Sequence, residues 1–387
     1  MTERLYYADS RLFAFSARVL ACEPDKKGWL LELDRTAFFP EGGGQSADTG
    51  LIGEARVSDV QEREGHIRHF ADRAIAPGTE VSCAIDGEQR LRRMQNHSGE
   101  HILSGVTHRL FGYDNVGFHM GADCMTIDFS GELDEEQLSR IETLANEAIR
   151  DDRPIRTLFP SPEELAALDY RSKKELTGAV RLVEIEGIDL CACCAPHVRS
   201  TGEVGIVKIL SAERHRGGMR LTVICGLDAL EDYRRRLESA GAVSRLLSVP
   251  QEKIAAGVER VLGEQAKLKE HVVMLENELA RRIADQYGEA AGNLCVFVPD
   301  ELLGEAALRE LVNALMEKCG GFAAAFSGSD AEGYRYIIGS RHVDLRANSR
   351  AINAAIKGRG GGTPEMIQGR AQASEAEIRA AIGRFSS

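Results

Sequence analysis

Two pairs of metal-binding side chains, each spaced four residues apart, constrain the fold of this chain more than any other feature. His97 and His101 lie in the segment QNHSGEHILSG, which has a helical pattern, and Cys193 and His197 lie in CACCAPHV. A spacing of four places both histidines on one face of a helix. Three imidazoles and a thiolate are ligands that zinc prefers. The fold then has to bring together two segments that are far apart in the chain.

The spacing alone leaves the choice of thiol open. Cys191 and Cys194 lie beside Cys193, and each is either an alternative ligand or a small buried apolar side chain. A lone pair of histidines at this spacing is also compatible with ordinary packing. The helix lacks the His-Glu-x-x-His motif of zinc proteases. The cluster as a whole predicts Zn²⁺ as the cofactor.

Composition limits the class of protein and its partners. The chain has 387 residues, of which 43% are hydrophobic and 28% are charged, as in globular proteins. No run of 18 apolar residues and no apolar N-terminal signal core is present, which predicts a cytoplasmic protein without a membrane partner. Nine scattered cysteines indicate a reducing compartment. The net charge of -12 opposes nucleic-acid binding overall, although local basic patches decide that question.

The order of strand-like and helix-like segments predicts an α+β multidomain protein. Short alternating segments over residues 1–85 predict a small N-terminal β-barrel. Residues 86–226 mix helices and strands and contain all the candidate zinc ligands. Residues 227–289 predict a helical, coiled-coil-like linker, and residues 290–387 predict a C-terminal α/β domain.

Two glycine-rich segments have a structural and a functional interpretation. PEGGGQ, from Pro40 to Gln45, is typical of a hairpin loop that needs positive φ angles, or of a backbone that approaches a ligand closely. Near the C-terminus, a predicted helix runs into a glycine-rich loop at Gly358–Gly362. The sequence alone does not decide the role of that second loop.

An apolar seam follows Pro250 in the helical linker. Its members alternate at spacings of four and three, which is the pattern of a coiled coil. The seam predicts a coiled-coil hairpin or a homodimer through the linker and the C-terminal domain, or else a helix packed against a neighbouring domain. It consists of Ile254, Val258, Val261, Gln265, Leu268, Val272, Leu275 and Leu279.

Three clusters of basic residues are candidate phosphate contacts, with solvated surface as the alternative. One precedes the first ligand pair, one lies in a predicted strand turn, and one flanks the C-terminal glycine loop. They are Arg90, Arg92 and Arg93; Arg214, Arg216 and Arg220; and Lys357, Arg359 and Arg370.

Ordered motifs resemble a known family. TAFFPEGGGQSADTG, NHSGEHILSG, TIDFS and CCAPHVRSTGEVG occur in the order found in the editing domain of alanyl-tRNA synthetases and in free-standing AlaX-type editing proteins. GRGGGTPEMIQG resembles a motif of the C-terminal domain of those synthetases. This resemblance implies that residues 290–387 bind tRNA or mediate dimerisation. The resemblance covers nearly the whole chain and implies a long-form trans-editing protein without aminoacylation activity. Such a protein hydrolyses the ester that joins serine or glycine wrongly to alanine tRNA.

The resemblance also implies roles for individual residues. The four zinc ligands carry over to His97, His101, Cys193 and His197, whereas Ala195-Pro196 and Glu100 depart from the usual motifs. These departures bear on which amino acid is removed. The candidate catalytic residues are Glu100, His119 and Gln45, and the candidate substrate-binding residues are Gly42, Gly43, Gly44, Asn115, Gly117, Arg93 and Arg359.

The sequence leaves three alternative functions to compare with this one. A non-catalytic tRNA-binding module would use its zinc only for structure. A deacylase of a different mischarged tRNA would fit the altered motifs. A phosphoesterase shares the C-terminal domain, but the Asp-His-His metal signature of that enzyme class is missing from the chain.

Overall fold

The computed structural model describes most of the chain, namely residues 2–26, 28–172, 180–300 and 302–385. The chain forms two compact units, Met1–Ser239 and Ala240–Ser387. Both units contain helices and sheets, so the protein has a mixed α/β multidomain fold, as the sequence predicts at that level.

The first unit contains a closed barrel and a sheet that is covered by helices. Its elements are β1 Glu3–Arg4, α1 Leu5–Ala8, β2 Ala14–Asp25, β3 Gly28–Leu33, β4 Arg35–Thr36, β5 Gly50–Ile52, β6 Ala55–Arg63, β7 His66–Ala71, β8 Glu80–Ile85, α2 Gly87–Phe111, β9 Asn115–Met120, β10 Met125–Phe129, α3 Glu135–Arg150, β11 Ile155–Leu158, α4 Pro162–Ala167, β12 Leu182–Ile185, β13 Asp189–Ala192, β14 Val207–His215, β15 Gly218–Cys225 and the part of α5 Gly226–Leu247 that precedes Ala240.

Six strands close into a barrel in the order β2-β3-β7-β6-β5-β8. Side chains alternate between the interior and the solvent, as the two-residue period of a strand requires. In β8, for example, Val81, Cys83 and Ile85 are buried while the residues between them are exposed. The PEGGGQ loop extends from this barrel toward the first ligand pair.

Helix α2 carries the first ligand pair into the interior of the first unit. The Asp86 side chain caps its N-terminus by accepting a hydrogen bond from the Gln89 N–H, and Gly112 ends it with a φ of 69°. The residues from Met94 to Thr107 are buried. They lie with α3 against an antiparallel sheet of order β14-β15-β10-β9.

A glycine on α2 allows the second ligand segment to approach. A methyl group added at Gly105 would lie 2.5 Å from the carbonyl oxygen of Ile188, just before β13. Because glycine leaves this space empty, β13 can pack directly on the helix. The chain then leaves β13 at Ala192 and enters the segment Cys193–His197. This close approach brings the two ligand pairs together.

The second unit has one sheet of order β16-β17-β18-β20-β19, with β16 and β17 parallel and the other neighbours antiparallel. Its elements are α6 Ile254–Asp285, β16 Leu294–Val298, α7 Glu305–Met316, β17 Phe322–Ser329, β18 Gly333–Ser340, α8 Leu345–Ala355, β19 Gly358–Gly362, β20 Met366–Ala371 and α9 Glu375–Arg384.

The C-terminal glycine segment is a strand, which corrects the loop expected from the sequence. Gly358–Gly362 forms β19 and pairs with β20 along its whole length. The absence of side chains lets the two backbones and the hydroxyl of Tyr336 approach closely at Gly360. Strand pairing therefore accounts for the glycines at this position.

The predicted apolar seam lies on α6 and is largely solvent-exposed. Leu268 and Leu275 are each 64% exposed, and Val272 is 51% exposed. Further along the helix, Leu279 packs against the core that contains α7. The middle of the seam therefore has no covering partner among the described residues of the second unit.

No helix in the described part of the chain combines the length and apolar character needed to cross a bilayer.

Candidate metal centre

Four buried or half-buried side chains from α2 and the segment after β13 converge on one point. The ligand atoms of His97, His101, Cys193 and His197 all lie within 4.8 Å of one another. The Sγ atom of Cys193 lies 3.6 Å from Nε2 of His97 and 3.4 Å from Nε2 of His197. These are the four residues that the sequence analysis brings together as a ligand set.

The spacing of these atoms fits a tetrahedral metal ion. Metal–nitrogen bonds of about 2.0 Å and metal–sulfur bonds of about 2.3 Å at the tetrahedral angle place nitrogen and sulfur about 3.6 Å apart. The distances from Cys193 to His97 and His197 agree with that value. The donor set and its size therefore fit a bound metal ion.

Each imidazole is oriented by a partner on its second nitrogen, as is usual for histidine ligands. Because Nδ1 of every ring is engaged, Nε2 is the atom that faces the centre. Gln45 Oε1 lies 2.8 Å from His97 Nδ1, Asp189 Oδ2 lies 2.9 Å from His101 Nδ1, and Ser98 Oγ lies 3.0 Å from His197 Nδ1.

Asp189 is the charged partner among these three. Arg171 donates two hydrogen bonds to its carboxylate, at 2.7 and 2.9 Å. Burial disfavours the ionised carboxylate, but hydrogen bonds from His101 and Arg171 outweigh this effect and lower the pKa of Asp189. On His101, burial is opposed by the charges of Glu100 and Asp189, which hold the pKa of the imidazole well above its usual range. The two carboxylates favour positive charge at this ring.

The electrostatic surroundings distinguish the three thiols that the sequence left open. Burial opposes ionisation of Cys193, but the nearby His97 and His197 hold the pKa of this thiol well below its usual range. Burial raises the pKa of Cys194 to about 11 and also raises the pKa of Cys191. Since the thiolate is the form that binds metal, Cys193 is the best suited ligand of the three.

Glu100 contributes a buried carboxylate beside the ligand cluster. Its side chain is almost fully buried, and Oε2 lies 3.7 Å from Nε2 of His101. Ser104 Oγ donates a hydrogen bond to Oε1 at 2.7 Å, and the side-chain amide of Asn115 donates to the same atom. Glu100 is therefore not a solvated surface carboxylate.

The PEGGGQ loop is a tight hairpin turn that positions Gln45. Gly42 and Gln45 pair across the turn, while Gly43 and Gly44 have φ angles of 61° and 86°. A side chain at Gly44 would collide with Phe118. Gln45 is fully buried, and its Nε2 has no hydrogen-bond partner among the described residues. Its Oε1 orients His97, so the amide group leaves a donor beside the ligand cluster.

The turn also packs against the second ligand segment. Methyl groups added at Gly42 or Gly43 would lie 4.0 or 3.9 Å from Sγ of Cys194. The pairing and the φ angles of the turn support the hairpin interpretation. The close approach of its backbone to a bound substrate stays a prediction.

Successive side chains of β9 face different parts of the protein. The ring of Phe118 lies 5.0 Å from that of His97, between centroids. The next residue, His119, is exposed and lines a different cavity of about 670 Å³. The alternation of side chains along a strand separates the two. The structure thus does not bring His119 to the ligand cluster, and Gly117 lies opposite Asp128 of β10.

The basic residues near the first ligand pair are largely engaged within the protein. Arg90 is fully buried and ion-paired with Asp48. It is thus unable to contact phosphate, which corrects the expectation from the sequence. Arg93 is mostly buried and donates to the carbonyl oxygen of Ala47. Arg359 lies in the second unit on the exposed strand β19.

Sequence reasoning missed the residues that orient the imidazoles. Asp189 and Ser98 are buried polar residues that contact candidate ligands. Arg171, which lies outside the named helices and strands, is ion-paired with Asp189. One signal was present for Asp189, because it alternates with Cys191 at the buried positions of β13. A carboxylate at a buried strand position requires a partner.

Two family models match parts of the chain. The model described as tRNA synthetases class II (A) matches residues 6–89. The model described as threonyl and alanyl tRNA synthetase second additional domain matches residues 180–221, which include Cys193 and His197.

Known proteins are similar over almost the whole chain. The alanine–tRNA ligases of Pyrococcus abyssi and Methanopyrus kandleri are 33% and 32% identical to it over 95% of its length. The chain spans 42% of the length of each ligase. The alanyl-tRNA editing protein AlaX-L of Pyrococcus horikoshii is 29% identical over 98% of this chain and 96% of its own. These similarities confirm the resemblance to alanyl-tRNA synthetases and AlaX-type editing proteins.

Among solved structures, the C-Ala domain of the Aquifex aeolicus alanyl-tRNA synthetase is 21% identical and covers 23% of this chain and 84% of its own. The TM-score is 0.20.

Proposed function

We propose that this protein is a zinc-dependent editing hydrolase that removes serine or glycine from mischarged alanine tRNA. The observation that carries the proposal is the convergence of His97, His101, Cys193 and His197 within 4.8 Å. The similarity to AlaX-L over 98% of the chain supports the reaction class. Zn²⁺ suits this ligand set because it accepts both imidazole and thiolate in a tetrahedral arrangement.

Bound zinc would supply a positive charge that polarises the ester or binds the free amino group of the substrate. The surrounding charges suit a divalent cation. Thiolate Cys193 and carboxylate Glu100 offset its two positive charges, while Asp189 and Arg171 offset each other. A centre balanced in this way is stable in a buried site.

Two protein groups have the chemistry that ester hydrolysis needs. Glu100 is a buried carboxylate beside the ligands, and it would accept the proton of the water that attacks the ester carbonyl. The Nε2 of Gln45, which has no partner in the described chain, would donate to the carbonyl oxygen as negative charge develops there. The ester C–O bond then breaks, and the tRNA hydroxyl takes up a proton.

The amino-acid preference is part of the proposal. Serine exceeds alanine by one hydroxyl, which an apolar synthetic site rejects only weakly. The polar group of Glu100, Ser104 and Asn115 beside the ligands would hold such a hydroxyl. Recognition of a hydroxyl that alanine lacks accounts for the selectivity for serine over alanine.

The test is a deacylation time course with alanine tRNA charged with serine, glycine or alanine, with and without a metal chelator. We expect rapid loss of serine and glycine, retention of alanine and inhibition by the chelator. Cys193→Ser should lose both activity and stoichiometric zinc. Cys194→Ser is the matched control, because it removes an adjacent thiol with a high pKa. Full activity of zinc-free protein would refute the proposal.

One observation favours a second function. Four protein ligands form a closed set, which is typical of structural zinc sites. A tRNA-binding module with structural zinc would bind alanine tRNA without turnover in the same assay. A deacylase of another mischarged tRNA would release amino acids only from a different charged tRNA, because Glu100 and Ala195-Pro196 alter the pocket.

Further parts of the proposal concern organisation and partners. We propose division into a barrel at 1–85, an editing domain at 86–226, a helical linker at 227–289 and a C-terminal domain at 290–387, in a cytoplasmic protein. The exposed apolar seam on α6 supports a homodimer. The absence of aminoacylation stays a prediction, which an assay of alanine transfer to tRNA tests.

A further inference from the structure

A polar cavity of about 520 Å³ in the first unit reaches one of the metal-ligand candidates, His197. Aromatic and guanidinium groups form its walls, including Tyr7, Phe159, Arg181 and Arg199. Rings that stack and cations that pair with phosphate are the two group types that bind single-stranded nucleic acid. The cavity therefore has this chemistry directly beside the candidate metal centre.

Phe159 supplies an aromatic surface at the cavity that the core does not use. It follows the end of β11, and 59% of its surface is exposed. Its ring centroid lies 6.0 Å from that of Tyr7. The guanidinium of Arg181 lies over the Tyr7 ring at 5.2 Å, so Tyr7 is already stacked. Phe159 is thus the better placed of the two rings to accept a base.

Arg181 links the cavity wall to the ligand segment. It donates hydrogen bonds to the backbone oxygens of Cys193 and Ala195, at 2.6 and 3.0 Å. Its Nε is buried and has no hydrogen-bond partner among the described residues. A group bound against this guanidinium would lie one side chain away from the metal-binding thiolate. This proximity is what a substrate with its reactive ester at the metal centre requires.

Arg199 offers an exchangeable positive charge at the mouth of the cavity. Its side chain is 61% exposed and forms an ion pair with Asp9 at 3.0 Å. Exposed ion pairs of this kind contribute little free energy. A phosphate can therefore replace the Asp9 carboxylate without a large loss of stability.

The larger cavity of about 670 Å³ has less suitable charges. Asp86, Glu88 and Asp228 line it, and Arg92 is paired with two of these carboxylates. These three carboxylates outnumber the two arginines of this cavity, Arg92 and Arg93, and an excess of negative charge repels a phosphate backbone. This contrast favours the His197 cavity as the path of an RNA end.

We propose that the His197 cavity binds the unpaired 3′ end of RNA, with the terminal base stacked on Phe159 and a backbone phosphate on Arg199. The inference rests on the proposed function, because it assigns a binding site to the same substrate. The aminoacyl ester on the terminal ribose would then face the metal centre. The ligand class is a single-stranded RNA end, recognised by stacking and charge.

Steady-state kinetics test the stacking. Phe159→Ala should raise KM for mischarged tRNA about tenfold and leave kcat within about twofold, since stacking on an aromatic side chain is lost. Phe159→Tyr should restore the wild-type KM. Tyr233→Ala is the control, because Tyr233 is similarly exposed on α5. An unchanged KM for Phe159→Ala overturns the proposal.

A binding experiment tests the site without turnover. The only tryptophan of the chain is Trp29, so a Trp29→Phe/Phe159→Trp protein reports from the cavity alone. A short RNA ending in CCA should quench this fluorescence, and the same RNA without its terminal adenosine should quench it much less. Trp29→Phe/Tyr233→Trp is the control. Equal quenching by both RNAs, or none, overturns the assignment.

The salt dependence of RNA binding tests the contact between Arg199 and a phosphate. The logarithm of the RNA affinity should fall with the logarithm of the salt concentration, and Arg199→Ala should reduce that slope by about 0.7. An unchanged slope overturns the role of Arg199. If wild-type protein deacylates tRNA but the fluorescence and KM tests fail, the inference fails and the proposed function stands. If RNA quenches the reporter but no ester is hydrolysed, the proposed function fails.

Discussion

Asp189 Oδ2 and His101 Nδ1 lie 2.9 Å apart, and Arg171 clamps the same carboxylate from its other side. This arrangement ties a ligand on α2 to strand β13. It also makes the imidazole a stronger electron donor to a metal ion.

Asp189→Asn should therefore weaken zinc binding about 10- to 100-fold. Competition with a chromophoric chelator measures the affinity directly, without any catalytic assay. Asp128→Asn is the matched control, because it breaks an aspartate–arginine pair with Arg220 on β10 and β15. Equal zinc affinity in the Asp189 variant and the wild type would show that the carboxylate does not position His101.

Gly105→Ala should weaken both folding stability and metal binding. The added methyl group meets the carbonyl oxygen of Ile188 at 2.5 Å and forces β13 away from α2. Denaturant unfolding and zinc competition measure the two effects. Gly263→Ala on α6 is the control. It has open space around it, so better helix propensity should leave it neutral or about 1 kcal/mol more stable. Loss of stability in both variants would point to a general effect of alanine.

Glu100→Gln should lower kcat for deacylation about 10²- to 10⁴-fold while zinc remains bound. The amide cannot accept the proton of an attacking water, yet it preserves the size of the side chain. Zinc content by elemental analysis and single-turnover hydrolysis separate the two effects. Glu136→Gln, on the exposed first turn of α3, should leave both unchanged. Wild-type rates in the Glu100 variant would exclude it as the proton acceptor.

The barrel should become less stable as the pH decreases, because His69 then takes up a proton. Burial lowers the pKa of this imidazole from 6.5 to about 4 in the folded protein. The unfolded chain binds the proton more readily, so stability is full above pH 6.5 and decreases as the pH falls toward 4. The loss amounts to about 3 kcal/mol.

Denaturant unfolding followed by Trp29 fluorescence measures this effect, since Trp29 lies on barrel strand β3. His69→Gln should flatten the pH dependence between 4 and 6.5. His66→Gln, at an exposed barrel position, should leave the wild-type slope unchanged. An equally steep slope in the His69 variant would contradict the prediction.

The seam on α6 should support self-association. Leu268→Glu/Leu275→Glu places charges in the middle of the exposed apolar stripe and should shift a dimer to monomer in sedimentation experiments. Leu246→Glu is the control, because Leu246 is 85% exposed on α5 and outside the seam. A wild-type protein that sediments as a monomer at all concentrations would refute the homodimer.

The ligand set was predictable because its information is local. Spacings of four mark His97 with His101 and Cys193 with His197. The choice of Cys193 over Cys191 and Cys194 comes from the resemblance to a known family. The orienting partners depend on packing instead. Asp189 reaches His101 only because Gly105 lets β13 approach α2. Such a tertiary contact has no periodic signal in the sequence.

Two residues that lie close to the candidate ligands in the sequence do not lie beside them in the structure. Arg90 lies next to a predicted site in the sequence, but helix α2 turns it toward Asp48 in the protein interior. His119 likewise follows a residue that contacts His97, and the strand directs it to another cavity. Proximity in sequence does not determine which face a side chain occupies.

The ligands come from segments separated by 96 residues between His97 and Cys193. At ribosomal rates of about 5–20 residues per second, the thiolate emerges about 5–20 s after the first histidine pair. During that interval the nascent chain offers only two of the four proposed ligands. Binding of a metal ion by the full set would therefore be a late event of biosynthesis, after both α2 and β13 have been made.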